Sequence, residues 1–576
     1  MLIEVVEEKK GMSIKPANRK AGTNAGSELK SNSILTIVLI LVSSISTLLF
    51  PVPSIKKMIE KLSLNPILTA FHHHLMRWPE LCLAAICLFL SIIWYLKNKN
   101  DHYMQWPIVG VLPSIIKNVH RVHDWSVENC QAFGCTIQAK GPIFCRWELL
   151  FTCDPRNVEY ILKTNVTNFP KGEDYLEAFD VLGDGLFNVD SELWQIQRSM
   201  ARKAFASNGF RGTMCRLSKK LVEEGLVPLL SNAARESSVV DLQDIFMRFT
   251  FDIIIIAIFG RDSKSLSAGF KDNELANSLD AVLDGIFSRH VSPRIWWKLC
   301  RLLGIGEERK LAKAWKTIDI HMAHYISLKK AEAIAGSEEA DLMATYVNFQ
   351  KESKDFSSND KFLRDTALTF ILAGRDTTGT TLTWFFYTLS KNPHAEAKIL
   401  EELKKVSRKD SNVEQNSPWV FNSEDLKSLV YLHAALCEAM RLYPSPSLNR
   451  KGVLKEDVLP NGTVVKPGMM VITSAYAMAR MECVWGKDCS EFKPERWIDE
   501  HGKLSPEPLT KFFTFGAGPR ICLGKEMGFT VMKAAVAAVL FNFQVEVIEG
   551  QTICPKPSLV LSMKNGLMVK IKERVS

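Results

Sequence analysis

The sequence has no repeated Cys-x-x-Cys pair, no internal repeat and no uninterrupted apolar stretch of the length a membrane helix ordinarily needs. Thirteen cysteines scattered through 576 residues exclude a secreted disulfide scaffold and point to a reducing compartment. The missing repeat excludes a stacked array. What is present is ordinary: 47% hydrophobic and 23% charged residues leave no room for a disordered, collagen-like or purely coiled-coil chain, so a large folded core is expected. Lys and Arg outnumber Asp and Glu by 72 to 63. The resulting +9 is diluted over the whole length, which suits an anionic membrane surface or an acidic protein partner better than nucleic acid.

Apolar residues gather toward the N-terminal end. Ile34 to Phe50 runs 17 residues without a charge, and Leu81 to Leu96 runs 16. A membrane span needs about 20 such residues, so each is slightly short. The second, however, is bracketed by Trp78, Trp94 and Tyr95 and followed by Lys97 and Lys99, the flanks of a membrane interface. Residues 76–97 are therefore expected to form an anchor helix, and 34–50 a second span, an interfacial helix or a late signal peptide. Residues 1–33 lack the Arg/Ser pattern of a transit peptide and read as a disordered tail. The run His72 to His74 has no acid or cysteine beside it and reads as incidental rather than metal-binding. Pro107 stiffens a linker over 98–108, leaving 109–576 as the body.

Within the body, strand runs around Gly141-Pro142 and from Leu459 to Ser474 bracket a mainly helical chain, an α+β reading dominated by helix with small sheets. Residues 190–345 carry helical periodicity, Asp360 to Lys391 forms one long helix, and Leu523 to Phe543 another. Leu559 to Met563 and Leu567 to Ile571 flank Asn565-Gly566, which predicts a hairpin. Arg408 to Ser423 is a surface loop.

The stretch with most chemistry is Phe515-Gly-Ala-Gly518-Pro-Arg520-Ile-Cys522-Leu-Gly524. Glycines let backbone N–H groups approach a sulfur, and a following helix N-terminus adds positive potential, conditions that favour a metal-bound thiolate. Arg520 is placed to reach an acidic group of a cofactor. This pattern resembles the haem-binding loop of the haem-thiolate monooxygenases, the cytochrome P-450 superfamily. The resemblance covers about residues 100 to 576 and implies the helix-rich fold of that family, haem b, and Cys522 as axial ligand, with Phe515, Gly518 and Arg520 around it.

Three more elements follow the family's order. Glu438-Ala-Met-Arg441 resembles its E-x-x-R helix, and Phe492-Lys-Pro494-Glu-Arg496-Trp497 the segment whose arginine joins that pair, implying a structural triad of Glu438, Arg441 and Arg496. Ala373-Gly374-Arg375-Asp376-Thr377-Thr378 interrupts an apolar helix with an acid and two threonines, and the hydroxyl of Thr377 can bond to Ala373 four residues back, opening a distortion for a small ligand. By resemblance Thr377 supports bound dioxygen and Asp376 relays protons. Trp194 and Arg198, at i and i+4, resemble the W-x-x-x-R contact to a haem propionate, and Lys451 or Arg450 would complete the propionate partners.

Phe169-Pro-Lys-Gly172, Val181 to Asn188 and Ala479-Arg480-Met481 look like the plant clan that hydroxylates fatty acids and very-long-chain alkanes, and Asn449-Arg450-Lys451 most like its mid-chain alkane hydroxylases. That implies a hydrophobic aliphatic substrate, electrons from NADPH through an NADPH-cytochrome reductase, no nucleic acid, and an endoplasmic reticulum membrane with the catalytic domain cytosolic. Thr369, Phe370 and Ala373 would line the chain's groove, while Lys525 and Lys533 are candidates for docking the reductase. Met76 begins the part that resembles the usual start of microsomal relatives, so 1–75 reads as an extension or an upstream start. The rival readings are a reductase-independent haem-thiolate isomerase or dehydratase of hydroperoxides and a non-enzymatic membrane haem protein.

Overall fold

The computed structural model describes residues 87–90, 92–93, 105–106 and 108–574, apart from 144–146, 268–272, 336–340, 353–359, 408–417 and 506. The chain divides into two units, Met1–Asn100 and Asp101–Ser576. In the first, Cys87 to Leu90, Ile92 and Ile93 are helical, with Leu88, Leu90, Ile92 and Ile93 exposed. Among the described residues no helix is long and apolar enough to cross a membrane. The extension 1–75, its stretch 34–50, the rest of 76–97 and the linker up to residue 104 lie outside the described residues.

The second unit is built on helices, of which those that frame the site are α1 Val122–Phe133, α2 Ser191–Ala206, α3 Leu242–Phe259, α4 Glu274–Val291, α5 Gly306–Ile334, α6 Asp360–Ser390, α7 Val430–Leu442 and α8 Lys525–Asn542. Helix α6 is the central one, and its threonines explain how a hydroxyl-rich segment can be buried. Thr369, Thr377, Thr381, Thr383 and Thr388 each donate to the carbonyl four residues back, at 2.7–2.8 Å. Burying a hydroxyl costs roughly 1–3 kcal/mol when it is unpaired, and the back-bond removes that cost locally. The helix stays α-helical through Thr377, so the expected distortion is absent and the hydroxyl is simply satisfied in place.

Helix α3 lies along α6 and sets their separation with glycines. A Cβ on Gly374 would stand 2.5 Å from the Ile254 Cδ1, and one on Gly379 2.6 Å from the Met247 Sδ, so a side chain at either point would have to displace its neighbour on α3. Phe246 stacks on Phe386 with centroids 5.4 Å apart, and Thr250 donates 2.9 Å to the carbonyl of Arg375. Helix α3 is buried on nearly every face, and its N-terminus is capped by Asp241, whose side chain accepts from the Gln243 amide.

The strands are β1 Thr136–Lys140, β2 Glu148–Thr152, β3 Val239–Asp241, β4 Leu448–Gly452, β5 Asp457–Val458, β6 Val464–Val465, β7 Met470–Ser474, β8 Phe543–Val547 and β9 Met568–Glu573. They form a four-stranded sheet in the order β1-β2-β7-β4, a three-stranded sheet β3-β9-β8 and the pair β5-β6. Among the described strands only β2 and β7 run parallel, with Leu150 opposite Val471. The expected C-terminal hairpin is corrected here. Gly566 does turn with φ +70°, but β9 pairs with β8 and β3 instead of with Leu559–Met563. That segment's backbone is engaged elsewhere: the Leu561 carbonyl accepts from the Trp384 indole, and the Met563 amide donates 2.7 Å to Gln243. Residues 408–417 of the expected surface loop lie outside the described residues.

Candidate active site

The loop 515–524 is closed by its own backbone. The Cys522 amide donates 2.7 Å to the Phe515 carbonyl, and Gly516 and Gly518 take φ of +74° and +66°. Glycine is compulsory at 518, because a Cβ would lie 2.0 Å from the Leu162 carbonyl oxygen. Cys522 keeps much of its surface accessible, and that surface opens onto a cavity of about 570 Å³ rather than onto bulk solvent. Burial pushes the thiol up, while the backbone amides of Gly524 and Lys525 and the charges of Arg198 and Lys525 pull it down. Those donors stabilise an anionic sulfur, which a bound metal would favour further.

Behind the loop, Glu438 is completely buried and takes five hydrogen bonds. Arg441 donates twice, at 2.8 and 2.9 Å, the Arg496 Nε at 3.2 Å, the Lys493 amide at 3.0 Å and the Trp497 indole at 3.0 Å. Arg441 also donates to the carbonyls of Ala479, Cys489 and Glu491. The three charged residues singled out in the sequence do meet, and the indole of Trp497 and the amide of Lys493 are partners the sequence reading missed. A buried carboxylate needs all its lone pairs filled, and i, i+3 spacing supplies only the first pair.

Helix α6 borders two cavities with different faces. Thr369, Phe370, Ala373, Gly374 and Thr377 line the cavity that holds Cys522. Arg375, Asp376 and Thr380 line a second, of about 330 Å³, together with Asp244, Asp280, Asp284 and Lys556. Leu283, Ser558 and Val560 belong to both walls, so the two adjoin. Asp376 accepts 2.8 Å from Arg375, whose other partner is Asp280 at 2.6 Å, and its second oxygen has no hydrogen-bond partner among the described residues. Burial pushes Asp376 up to about 7, with Arg375 opposing and Asp280 adding to the rise. Asp280 carried no sequence signal, because a lone acid on an amphipathic helix looks like solvated surface.

The main cavity also gathers cations. Arg520 donates 2.6 Å to Asp190 and lies over the Trp194 ring at 4.5 Å, and Arg198 donates to the Ile521 carbonyl while its Nε has no partner among the described residues. Lys451 is buried beside the charges of Arg520 and Asp190, and burial lowers its pKa to about 8. Lys171 and Arg450 line the same space. A flat ligand carrying two carboxylates fits this wall: Arg198 and Arg520 line the cavity that Cys522 opens onto, and the Arg198 Nε is left without a partner among the described residues, as a haem with its propionates would use. One expected residue is displaced. Lys533 is buried and donates 2.9 Å to the carbonyls of Leu426 and Leu429, so it is not at the surface for any partner, whereas Lys525 is partly exposed.

Residues 104–571 match the family model described as Cytochrome P450. The chain is 40% identical over 503 residues to a protein named Noroxomaritidine synthase from Narcissus aff. pseudonarcissus MK-2014, covering 86% of this chain and 97% of that one. It is 38% identical over 497 residues to Alkane hydroxylase MAH1 of Arabidopsis thaliana, covering 85% and 97%. Cytochrome P450 86B1 of the same plant is 39% identical over 501 residues, covering 85% and 89%.

Proposed function

The chain belongs to the cytochrome P450 family and is a haem-thiolate oxygenase, and we propose that it hydroxylates long aliphatic chains, fatty acids or very-long-chain alkanes, with electrons drawn from NADPH through a reductase. The observation that carries this reading is the wall of the main cavity, where Phe205, Phe210, Phe370 and Ile286 lead to Thr377 and Cys522. Phe205 packs 5.4 Å from Phe210 and 5.3 Å from Phe370, an aromatic and aliphatic surface that an alkyl chain can fill without leaving a polar group unpaired. The likeness to a protein named for alkane hydroxylation supports it.

Haem b bound here would supply an iron centre at which dioxygen is activated. Cys522 would hold it as the axial thiolate, on the loop shaped by Phe515 and Gly518. Arg520, Trp194, Arg198 and Lys451 would hold the propionates, Lys451 in preference to Arg450 because its charge neighbours are Arg520 and Asp190. Glu438, Arg441 and Arg496 would keep the supporting segment in register. Thr377 offers a hydroxyl to the reacting side of the cavity, and Asp376 carries a proton from the polar cavity toward it, two roles set by adjoining faces of one helix. We place the anchor over 76–97, after a 1–75 extension and before the 98–108 linker and 109–576 catalytic domain, with the catalytic domain on the cytosolic side of the endoplasmic reticulum. The Asp376 and Thr377 pair, beside its own polar cavity, favours a proton-consuming monooxygenase over a hydroperoxide isomerase.

The test is turnover by the membrane-bound protein with reductase and NADPH on matched fatty acids and alkanes, followed by locating the hydroxyl. Hydroxylated product that requires NADPH is expected. Turnover of hydroperoxides alone, without reductase, would refute the reading.

A further inference from the structure

The cations of the main cavity exceed what a haem's two propionates need. Arg198, Arg520, Lys171, Lys451 and Arg450 all line it, and the carboxylate that acts on most of them, Asp190, is already engaged by Arg520. Four of the five stand on the Cys522 side of this set or share the field of Arg520. Arg450 is the exception. On β4 it alternates with Lys451, pairing opposite Ile472 where Lys451 pairs opposite Val471, and neighbours in a strand point to opposite faces. The charges that act on it are Asp174 and the Tyr175 phenol rather than Asp190.

Its guanidinium makes no hydrogen bond or ion pair to any described residue, and burial lowers its pKa. Arg450 is half-buried and lines the cavity, so the surface its guanidinium keeps is turned to a space that a ligand can fill, and a partner supplied there would be paired in surroundings poorer in water than the bulk. The residues around it do not supply that partner. Tyr175 is stacked on Phe179 at 4.1 Å, with the Lys171 ammonium 4.2 Å above its ring. His290 stands edge-on to Phe179 at 5.2 Å, its Nδ1 bonded to the Ile286 carbonyl at 2.8 Å, and burial together with the Arg450 charge lowers its pKa to about 3, so it stays neutral. The surroundings are thus an aromatic wall with the Lys171 ammonium on its ring, the Asp174 charge acting from nearby without a hydrogen bond to Arg450, and one unspent fork of N–H donors.

We propose that Arg450 binds the carboxylate head of the substrate, so that the substrate class is a long-chain carboxylic acid rather than an unsubstituted alkane. This rests on the aliphatic hydroxylation reading and narrows it. The planar fork of a guanidinium matches a carboxylate in two parallel hydrogen bonds, and the head so fixed measures the chain from one end. Which carbon lies beside Thr377 and Cys522 then depends on chain length counted from Arg450. An unsubstituted alkane gains nothing from the arginine and leaves it unpaired.

The experiment titrates the haem-loaded full chain with hexadecanoate and with hexadecane, reading the spectral dissociation constant, for wild type, Arg450→Leu and Arg450→Lys. Arg450→Leu is expected to weaken hexadecanoate by about tenfold or more relative to hexadecane, the loss of a charge-assisted hydrogen bond, with Arg450→Lys recovering part of it. Haem content and the thiolate-type band of the reduced carbonyl complex stay at the wild-type level. Equal losses for the two ligands, or loss of haem in both variants, would overturn the assignment, the latter by placing Arg450 among the propionate partners. Binding is read separately from turnover. Arg450-dependent binding of hexadecanoate by a protein that oxidises no aliphatic chain would leave this site standing and defeat the hydroxylation reading, whereas equal losses with intact turnover would do the reverse.

Discussion

The two cavities beside α6 are built from the same helix and have opposite characters. The larger is walled mainly by aromatic and aliphatic side chains, with the Cys522 sulfur and a group of cations that includes Arg520 and Lys451, and the smaller by five aspartates with Arg248, Arg375, Lys556 and Lys564. A helical turn of 3.6 residues places Ala373 and Thr377 toward one and Asp376 and Thr380 toward the other. On the proposed reading an apolar reaction space does not have to contain its proton source: Thr377 would act from the face that lines the main cavity and Asp376 from the face that lines the polar one, so each group would keep the surroundings its task requires.

The largest way to break this contrast is to remove the frame that holds the apolar cavity's metal side. Glu438→Ala leaves Arg441, Arg496 and the Trp497 indole without their shared acceptor, and a loss of about 3–5 kcal/mol is expected, read as a fall in thermal midpoint and in haem retained. Next is the acid. Asp376→Asn should lower turnover on the order of 10²-fold with haem content intact. It should also remove the alkaline limb of the pH profile. A carboxyl held up to about 7 donates below that pH and has lost its proton above it, so wild-type turnover declines as pH rises through about 7 and the variant's does not. The same shift favours the folded state at low pH, a contribution lost as pH rises through about 7. Thr377→Ala sharpens the comparison from the apolar side: product formed per NADPH should fall while NADPH consumption continues, and unchanged coupling would remove the hydroxyl from the account. The smallest effect is expected from Asp280→Asn. Its carboxylate raises Asp376, so its loss should move the alkaline limb toward lower pH by less than about one unit, without altering the Cys522 spectrum.

Legibility followed the range of the interaction. Helix α6 was readable almost to its last residue, since periodicity over thirty positions is a local signal, and the helix-rich body with small sheets follows the same rule. The gathering of Thr377, Cys522, Arg520, Arg198 and Trp194 around one cavity was legible only through the resemblance, because no local rule places residues from two helices and a distant loop side by side. What remained hidden was non-local. Asn565-Gly566 announces a turn but not that β9 will pair with β8 instead of the segment just before the turn. Lys533 reads as a surface cation because lysine is almost always exposed, and the carbonyls of Leu426 and Leu429 that hold it lie about a hundred residues upstream, at separations of 107 and 104. Trp497 reads as a core aromatic until Glu438 supplies a reason for its N–H.

The Glu438 carboxylate also has a consequence in time. Its donors come from positions 3, 55, 58 and 59 residues further along the chain, so this frame assembles within one short stretch of synthesis. The bond from Arg198 to the Ile521 carbonyl spans 323 residues, and it must wait until nearly the whole body exists. Domains emerge N-terminal part first, so Trp194, Arg198 and the phenylalanines of the cavity are made long before the loop that completes the pocket. During that interval the aromatic wall of the cavity has no far side. The step that closes the enzyme around its guest is therefore among the last the nascent chain can take.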